Sequence, residues 1–278
     1  MNQSNVNYPG YLIHSILAEG PVTIVFNAFE VERTLPCVIK SVRSDYPYEK
    51  QASAFLKNEI SLLQTIKHPA LPVLQNLSLV NIPIYFVMER IDGVTLRQEL
   101  NRKFSLTFSS VVNLTRQILS LLSCLHQEGF THGDIKPENI LIEPSGKVRV
   151  IDLAFSSNVK KSEKIETNLM IGTPNYIAPE LCADIPLVTL ANDIYSLGVV
   201  IFEILTGTLP FPEGTVSQTL VRHQSDPPAR LKQKLAPYDP KLTHIIIEML
   251  SCNPIDRPKV KSLLDFFVKI ELEAMVNG

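Results

Sequence analysis

Three polar side chains in the middle of the chain have the chemistry that phosphoryl transfer requires. They lie in Thr131-His-Gly-Asp-Ile-Lys-Pro-Glu-Asn-Ile-Leu-Ile142, a pattern that predicts a polar loop followed by a short apolar strand. The Asp134 carboxylate could accept a hydroxyl proton, Lys136 could neutralise a phosphate, and Asn139 could ligate magnesium. Because catalysis of phosphoryl transfer consists mostly of positioning and charge neutralisation, these residue types suit it.

A second carboxylate follows an apolar segment a few residues downstream. Asp152, between Ile151 and Leu153, stands where a strand is expected to end, and a magnesium ion held there could bridge the phosphates of ATP. A polar turn between two core elements would explain any one of these residues alone. The ordered set at this spacing is better explained by a phosphoryl-transfer site that uses ATP and a divalent metal.

Further short motifs stand on both sides of this loop, in a fixed order along residues 11–270. They are Cys37-Val-Ile-Lys40, Glu59, Tyr85-Phe-Val-Met-Glu89, Asp152, Gly172-Thr-Pro-Asn-Tyr-Ile-Ala-Pro-Glu180, Asp193-Ile-Tyr-Ser-Leu-Gly198 and Arg257-Pro258. With these motifs the chain resembles the eukaryotic-type (Hanks-type) Ser/Thr protein kinases, and the sequences of its motifs are most similar to those of bacterial members. One such motif is weak, whereas the ordered set is specific.

The resemblance implies an α+β fold, the bilobal protein-kinase-like arrangement of a small antiparallel β-sheet lobe with one helix and a larger, mainly α-helical lobe. We expect a polar tail at 1–10, a nucleotide-binding lobe at 11–91 and a catalytic lobe at 92–274. Apolar periodicity predicts strands at Tyr11–Leu17, Ile24–Phe29, Leu35–Val42, Leu74–Leu79 and Ile84–Met88, and helices at Tyr48–Lys67, Leu96–Lys103, Ser110–Glu128, Asn192–Thr206, Thr215–His223, Leu242–Leu250 and Val260–Ala274. Segments 207–214 and 225–240 are predicted loops, and no appended sensor domain is expected.

The resemblance also implies an ATP site. Lys40, oriented by an ion pair with Glu59, would contact the α- and β-phosphates. Apolar side chains would enclose the adenine, and the carbonyl of Glu89 and the amide of Ile91 would bond the edge of the base. The implied ATP-binding residues are Leu17, Gly20, Val25, Val38, Lys40, Glu59, Met88, Glu89, Ile91 and Leu141.

For the chemical step, the resemblance assigns a role to each polar residue of the second lobe. Asp134 would act as the catalytic base, and Lys136 would neutralise the transferred phosphoryl group. Asn139 and Asp152 would hold Mg²⁺, with Mn²⁺ as an accepted substitute. Thr173 would bond both Asp134 and Lys136 from the substrate side, which favours a serine or threonine acceptor.

Other motif residues are implied to be structural. Glu180 and Arg257 would form a buried ion pair of the larger lobe. Asp193 would anchor the backbone of the catalytic loop at the start of a buried helix. His132 and Leu153 are expected to be packed residues without a chemical role.

The segment that should cover the ATP phosphates departs from the family pattern of three glycines. Here it is Ala18-Glu-Gly20-Pro-Val-Thr23-Ile-Val25, which retains only the middle glycine. Glycine allows a close backbone approach to phosphate and a positive φ, and Pro21 removes an amide donor. Taken on its own, the stretch is typical of an ordinary hairpin. Its position before Lys40 makes it a candidate lid.

Two more departures concern control of the segment that follows Asp152. Gly133 stands where many members have an arginine that receives an activation-segment phosphate. Ala154 stands where a glycine is usual, and it would be strained if that backbone needed a positive φ. Activity is therefore predicted to be largely independent of phosphorylation in residues 156–167. The candidate hydroxyls are Ser156, Ser157, Ser162 and Thr167, and the nearby lysines are Lys160, Lys161 and Lys164.

Composition and charge narrow the class of protein. A hydrophobic content of 45% with 19% charged residues favours a well-packed chain, and a net charge of −2 gives no electrostatic case for nucleic acid or an anionic membrane. The N-terminal residues lack a signal-peptide pattern, and no apolar run approaches the roughly 18 residues of a spanning helix. The expected partners are proteins that offer serine or threonine, and the oligomeric state stays open. The scattered cysteines, expected to be reduced as in the cytoplasm, are Cys37, Cys124, Cys182 and Cys252.

Two other functions remain open at this point. A pseudokinase, which binds nucleotide or a partner without turnover, is favoured by the altered glycine segment. A small-molecule phosphotransferase of the same broad ancestry is the other alternative. The run from Thr173 to Glu180 argues against it, because in the kinases that segment builds a docking shelf for a peptide.

Overall fold

A computed structural model of the chain describes residues 7–43, 46–80, 83–102, 106–160, 172–183, 185–211, 214–225 and 229–277. The chain divides into two compact units, of which the first ends at Asp92 and the second begins at Gly93. The first unit is built on one β-sheet and one helix, and the second is mainly helical.

The first unit contains a five-stranded antiparallel sheet in the order β1-β2-β3-β5-β4. The helix α1 lies between β3 and β4 in the sequence and ends before His68-Pro69, as predicted, because a residue that precedes proline avoids the helical region. The bounds are β1 Tyr11–Glu19, β2 Thr23–Glu30, β3 Leu35–Val42, α1 Glu49–Thr65, β4 Leu74–Ser78 and β5 Tyr85–Glu89.

One face of this sheet packs in the apolar core and the other carries Lys40, because successive side chains of a strand point to opposite sides. On β3, Cys37 and Ile39 are buried in an apolar cluster, whereas Lys40 lies on the opposite face. The core cluster consists of Tyr8, Ile24, Phe26, Ala28, Cys37, Ile39, Tyr85 and Val87. The alternation therefore places a charged side chain on a rigid, well-packed strand.

The second unit contains seven α-helices and a small three-stranded antiparallel sheet among its described residues. The helices are α2 Leu96–Asn101, α3 Phe108–Glu128, α4 Ala191–Thr206, α5 Val216–Ser225, α6 Ala229–Leu235, α7 Pro240–Met249 and α8 Val260–Asn277. The strands are β6 Val94–Thr95, β7 Ile140–Ile142 and β8 Val148–Val150. The catalytic-loop segment ends in β7, and Asp152 follows β8, so both predicted strand positions are confirmed.

The prediction of an uninterrupted loop over 225–240 was wrong, because α6 lies within it. Its leucines Leu231 and Leu235 are four residues apart and both are buried, so they form one apolar face of a short helix. The prolines on both sides of the segment hid this pattern.

The long helix α3 is apolar on one face and is part of the core of the second unit. It begins after the N-cap Thr107 and ends at Gly129, whose left-handed φ of 85° provides a usual helix C-terminus. By length and composition α3 is the one helix among the described residues that could cross a membrane, and half of that stretch is buried inside the unit. It contacts α8, α4 and β8, as expected of a core helix.

A buried ion pair ties the 3₁₀ turn Pro179–Cys182, which precedes α4, to the segment that precedes α8. Arg257 donates to both carboxylate oxygens of Glu180 at 2.6 and 2.7 Å, and its side chain is fully buried. The guanidinium also lies 4.9 Å from the ring centroid of Tyr195. The predicted pair is therefore present. Removal of one partner of such a pair typically costs about 3–5 kcal/mol.

Candidate active site

The backbone of the catalytic loop is held by a carboxylate from the first turn of α4. Asp193 accepts hydrogen bonds from the amides of His132 at 2.8 Å and Gly133 at 2.9 Å. Its Oδ2 also lies 2.9 Å from His126 Nε2. The predicted anchor contacts are confirmed, and they fix the two residues that precede Asp134.

Electrostatics strengthen this anchor. Burial by itself would raise the pKa of Asp193, but the hydrogen bond and charge of His126, with further contributions from His132 and the Gly133 amide, lower this pKa below the ordinary value of an aspartate. A lowered folded-state pKa stabilises the fold above the unfolded value, and the stabilisation is lost as pH falls through the lowered value. Burial also lowers the pKa of His132, against the charges of Asp193 and other carboxylates, so this imidazole is neutral near pH 7.

Each carboxylate oxygen of Asp134 has its own partner. Oδ1 accepts a hydrogen bond of 2.8 Å from Thr173 Oγ1. Oδ2 lies 2.6 Å from Lys136 Nζ and accepts from Asn139 Nδ2 at 3.0 Å. Lys136 also donates to Thr173 Oγ1 at 2.8 Å. Asp134, Lys136 and Thr173 thus form a closed triangle, and both hydrogen bonds predicted for Thr173 are present. Only 4% of Asp134 is exposed, so its orientation is fixed.

The two predicted metal ligands are joined through the backbone. The Asn139 carbonyl accepts from the Ile151 amide at 2.9 Å, which ties the start of the Asp152 segment to the catalytic loop. Asn139 Nδ2 donates to the carbonyl and to Oδ2 of Asp134, so its amide oxygen faces the other way. The described part of the chain contains no group of three or more His, Cys, Asp or Glu side chains that could hold a metal ion by themselves. The residues fit Mg²⁺, which typically takes one or two protein ligands plus phosphate oxygens and water.

Backbone strain lies at Asp152 and not at Ala154. Among the described residues other than glycine, only Thr34 and Asp152 have positive φ, and the value at Asp152 is 69°. The Asp152 side chain accepts from the Ala154 amide at 3.3 Å, a local bond that supports this turn. The condition for strain at Ala154, a positive φ, is therefore not met. The left-handed backbone at a proposed metal ligand costs on the order of 1–3 kcal/mol, which the surrounding structure must offset.

In the first unit, the predicted pair of Lys40 and Glu59 is present. Lys40 Nζ donates to Glu59 Oε2 at 2.7 Å, and both side chains are almost fully buried. The pair joins β3 to α1 and fixes the direction of the ammonium group. Removal of one partner would leave the other charge buried and unpaired, which destabilises the fold.

Most of the other predicted ATP-binding residues lie on strands, five of them in the first unit and one in the second. Val38 and Met88 are buried neighbours across β3 and β5, and Val25 pairs with Lys40 across β2 and β3. Leu17 is 55% exposed on β1. The remaining positions are Glu89 at the end of β5, Ile91 in the following loop, and Leu141 in β7 of the second unit. The Glu89 amide donates to the Val73 carbonyl at 3.0 Å.

The candidate lid is a hairpin whose tip is tied down within the first unit. The Gly20 amide donates to the Thr23 carbonyl at 2.9 Å, so this donor is already used in the turn. Arg43 donates to the Gly20 carbonyl at 3.2 Å and pairs with Glu19 at 2.8 Å. None of the turn residues has positive φ. The family's glycine-dependent conformation is therefore absent from this described hairpin.

Gly133 occupies a position that has no room for a side chain. Its φ is +84°, and a Cβ atom there would lie 2.3 Å from the carbonyl oxygen of Phe155. An arginine could not replace it without displacement of the Phe155 backbone. The departure at this position therefore does more than remove a cation, because it lets the segment after Asp152 approach the catalytic loop closely.

Hydrogen bonds continue this close approach along the chain. Thr131 donates its amide to the Ser157 carbonyl at 3.0 Å and accepts from the Ser157 amide at 3.2 Å through Oγ1. Ser156 Oγ donates to the His132 carbonyl at 3.1 Å, and the Val159 amide bonds the Gly129 carbonyl at 2.9 Å. We call residues 155–160 the docked segment. These hydrogen bonds hold it against the catalytic loop and the end of α3.

These contacts change the list of candidate phosphorylation sites. Ser156 is only 5% exposed and its hydroxyl is used as a donor, so it is not accessible in the described conformation. Lys160 packs its aliphatic chain over Gly129. The candidate hydroxyls of Ser162 and Thr167 lie outside the described residues. The nearby cations Lys161 and Lys164 lie outside them as well.

Sequence reasoning missed one polar network of the second unit. Arg97 on α2 contacts Glu203 on α4 and Glu138 in the 3₁₀ turn Pro137–Asn139. Tyr176 completes it by donation to Glu203 at 2.6 Å. One signal was available, because Glu203 is the one charge in the otherwise apolar stretch 197–205, and a buried charge requires a partner. The partner itself could not be identified from spacing.

The geometry matches a known family. The model of the protein kinase domain matches residues 11–267 of the chain. The chain belongs to the protein kinase domain family. This kinase domain has the expected α+β fold, with an antiparallel sheet of five strands and a larger helical unit. Membership of the family implies ATP binding and the use of a divalent metal.

Several bacterial Ser/Thr protein kinases are similar to this domain. With PrkC of Bacillus subtilis it shares 28% identity over 266 residues, which are 95% of this chain and 41% of that protein. With the probable kinase PknB of Lactococcus lactis it shares 30% over 185 residues, 66% of this chain and 29% of the relative. With PknL of Mycobacterium tuberculosis it shares 29% over 248 residues, 89% and 62% respectively. The chain thus spans less than two thirds of each relative. The expected similarity to bacterial members is confirmed, and it supports a Ser/Thr kinase function.

The contact between Gly133 and Phe155 generates the first prediction. We expect Gly133→Ala to loosen the docked segment, because the new Cβ would meet the Phe155 carbonyl. Hydrogen–deuterium exchange of the peptide that contains the Ser157 and Val159 amides should accelerate by about tenfold or more.

The matched control is Gly146→Ala. Gly146 has a φ of +80° but nothing within 4 Å of its missing Cβ, so it bears the same cost of left-handed backbone without the clash. Equal protection of the docked segment in both variants would show that the close approach at Gly133 does not order it.

Proposed function

We propose that this protein is a Ser/Thr protein kinase that transfers the γ-phosphoryl group of ATP to serine or threonine hydroxyls of other proteins. The observation that carries the proposal is the closed triangle of Asp134, Lys136 and Thr173. Such an arrangement aims one carboxylate at an incoming hydroxyl and holds a cation beside it. It is a geometry for orientation and charge neutralisation, on which phosphoryl transfer depends.

In the proposed step, a bond forms between the acceptor oxygen and the γ-phosphorus while the bond from that phosphorus to the β,γ-bridging oxygen breaks. The Asp134 carboxylate orients the acceptor and takes its proton. Lys136 neutralises charge on the transferred group. Mg²⁺, or Mn²⁺ in its place, would neutralise phosphate charge when held by Asn139 and Asp152. Thr173 keeps the base and the cation at a fixed distance.

Each unit has its own share in this proposal. Residues 11–91 would bind the nucleotide, with Lys40 on the α- and β-phosphates and the apolar positions of the sheet around adenine. Residues 92–274 would supply the base, the metal ligands and the acceptor surface, and residues 1–10 would be an N-terminal segment whose Tyr8 packs into the core of the first unit. We infer protein substrates in the cytoplasm and no role in nucleic-acid binding, in line with the net charge of −2.

The roles of Lys40 and Asp152 generate the second prediction. We expect Lys40→Ala and Asp152→Asn each to lower the rate of phosphate transfer by about 10²–10³, because each removes electrostatic stabilisation at the phosphates. Transfer from labelled ATP to a generic protein acceptor, with magnesium present, measures this. The two variants differ in stability, because Lys40→Ala also removes a buried partner of Glu59. Asp152→Asn is therefore the cleaner variant.

The control for this pair is Lys40→Arg, which keeps a cation beside Glu59. It should recover most of the melting temperature lost in Lys40→Ala, whereas the transfer rate should stay low because a guanidinium has a different shape from an ammonium. Turnover at the parental rate in Asp152→Asn would contradict the assignment of that residue as a metal ligand.

A pseudokinase is the second candidate function, and the tied-down hairpin from Glu19 to Thr23 is the observation that favours it. In that case the domain would bind ATP, or a protein partner, without turnover. Calorimetric titration of ATP and single-turnover transfer distinguish the two functions. Binding without transfer would support the pseudokinase, and binding with transfer that depends on Asp134 would support the kinase.

The docked segment generates the third prediction, that activity does not require phosphorylation of residues 156–167. The variant in which Ser157, Ser162 and Thr167 are replaced by alanine should retain, within about threefold, the initial rate of the parent both before and after phosphatase treatment. Ser156 is left intact, because it bonds the His132 carbonyl. A rate about tenfold below that of the treated parent would show that these hydroxyls matter in themselves.

Ser156→Ala is the structural counterpart. It leaves a buried carbonyl without this donor, a loss of about 1–3 kcal/mol. We expect it to lower the transfer rate and the melting temperature together, with no response of either quantity to phosphatase. A phosphatase-dependent rate in the parent would overturn the proposed independence from phosphorylation.

A further inference from the structure

A buried imidazole on α5 lies between α4 and the segment that carries Thr173. His223 is completely buried, and none of the proposed chemical steps uses it. Its Nδ1 lies 2.7 Å from the hydroxyl of Tyr195, a completely buried residue of α4. The ring of Phe211 packs against the imidazole, with the two ring centroids 4.7 Å apart. The side chain of His223 therefore has one fixed orientation.

The imidazole also interacts with the backbone of Pro174, the residue after Thr173. Burial lowers the pKa of His223 to about 4, so the ring is neutral near pH 7, whereas a backbone hydrogen bond with Pro174 acts in the opposite direction. Because proline has no amide hydrogen, the carbonyl is the group that interacts, and the imidazole is the donor. Nδ1 is used by Tyr195, which leaves Nε2 for Pro174. Nε2 has no hydrogen bond of standard geometry among the described residues, so this weaker contact is the one that it makes.

The two contacts of the imidazole support each other. A neutral imidazole has one donor nitrogen and one acceptor nitrogen, and the bond made by one nitrogen decides which of them carries the hydrogen. Burial raises the pKa of Tyr195 well above the ordinary value, so its hydroxyl keeps its proton and can donate. Donation to Nδ1 places the hydrogen of His223 on Nε2. The hydroxyl of Tyr195 thus selects the tautomer that can donate to Pro174.

The segment held in this way is a turn next to the proposed base. The Tyr176 amide donates to the Thr173 carbonyl at 2.9 Å, with Pro174 at the second position of the turn, where proline is favoured. We call residues 173–176 the Thr173 turn. Ser196 Oγ, on α4, donates to the Tyr176 carbonyl at 2.8 Å. The helix α4 therefore holds the turn at two points, once directly and once through the imidazole on α5.

The backbone of α5 around the imidazole is held by other contacts. Gln224 Nε2 donates to the Cys182 carbonyl at 3.0 Å, and the Cys252 thiol donates to the His223 carbonyl at 3.5 Å. Neither bond involves the imidazole. A change of side chain at position 223 is therefore expected to act on the Thr173 turn and to leave α5 in place.

We propose, on the basis of the kinase function proposed above, that His223 is a positioning residue for phosphoryl transfer. With Tyr195 it holds the Thr173 turn, so that the Thr173 hydroxyl stays bonded to Asp134 and Lys136. A bond from the turn fixes the proposed base only if the turn itself is fixed. Small displacements of a reacting group lower the rate of a step that depends on alignment.

The first test is kinetic and uses the full chain, Mg²⁺, labelled ATP and a generic protein acceptor. His223→Leu removes both ring nitrogens and should lower kcat by about tenfold or more, while the KM for ATP changes by less than about threefold. His223→Gln keeps one acceptor and one donor on its amide, and should recover kcat to within about threefold of the parent. Rates are compared per folded molecule, below the melting temperature of each variant, so a loss of stability alone leaves kcat unchanged.

A pair of tyrosine variants separates this contact from a general loss of packing. Tyr195→Phe removes the hydroxyl that selects the tautomer and should lower kcat by about threefold or more. Tyr238→Phe is the matched control, because it also removes a hydroxyl that bonds α4, in this case at the Leu205 carbonyl. Leu205 lies at the other end of that helix, so Tyr238→Phe should keep the parental kcat.

The second test does not depend on activity. NMR of the parent with labelled histidine reports which ring nitrogen of His223 carries the hydrogen, and we expect it on Nε2. This measurement needs no variant, so the inference stays testable if His223→Leu fails to fold.

The outcomes separate the two proposals. A hydrogen on Nδ1 overturns the inference and leaves the kinase function intact. The same holds if folded His223→Leu keeps the parental kcat, or if His223→Leu and His223→Gln lose it equally. A parent that transfers no phosphate to any protein overturns the proposed function, and the inference falls with it.

Discussion

The hydrogen bonds from two backbone amides to the buried Asp193 carboxylate determine the geometry of the catalytic loop. They hold His132 and Gly133 against the start of α4, so the next residue, Asp134, leaves the anchor in one direction. His126 completes the anchor and helps to lower its pKa, which keeps the carboxylate charged. A charged acceptor of several hydrogen bonds is stronger than a neutral one. The orientation of the proposed base is therefore fixed by a carboxylate on helix α4 and not by contacts within the loop itself.

The same loop also explains how the segment after Asp152 is ordered. Gly133 has no side chain, and the Phe155 carbonyl occupies the space that a Cβ would need. From there the docked segment runs beside the loop and is held by hydrogen bonds from Thr131 and Ser156. An arginine at 133 and a close docked segment exclude each other in this conformation. In the proposed kinase, this contact within the chain would take the place of a phosphate-dependent one.

The limits of sequence reasoning follow from the distance between partners along the chain. Asp134 and Thr173 could be paired because the family motifs assign them adjoining roles. Arg97 and Glu203 could not, since they are 106 residues apart and local spacing selects no partner for either. Backbone conformation was equally hidden, because the φ of Ala154 depends on how the turn closes in three dimensions. The family resemblance predicted which residues carry the chemistry of the site. The contacts that pack around them could be identified only in the three-dimensional structure.

The most direct test of this account is the single-turnover rate of phosphate transfer in Asp193→Asn. The change is isosteric but replaces a charged acceptor of two amides by a group with one acceptor oxygen. We expect the rate to fall about tenfold or more while the affinity for ATP, measured by calorimetry, changes less than threefold. Asp239→Asn, at the N-cap of α7, is the matched control, because asparagine caps helices as well as aspartate. An unchanged rate in Asp193→Asn would contradict the claim that this anchor orients the catalytic aspartate.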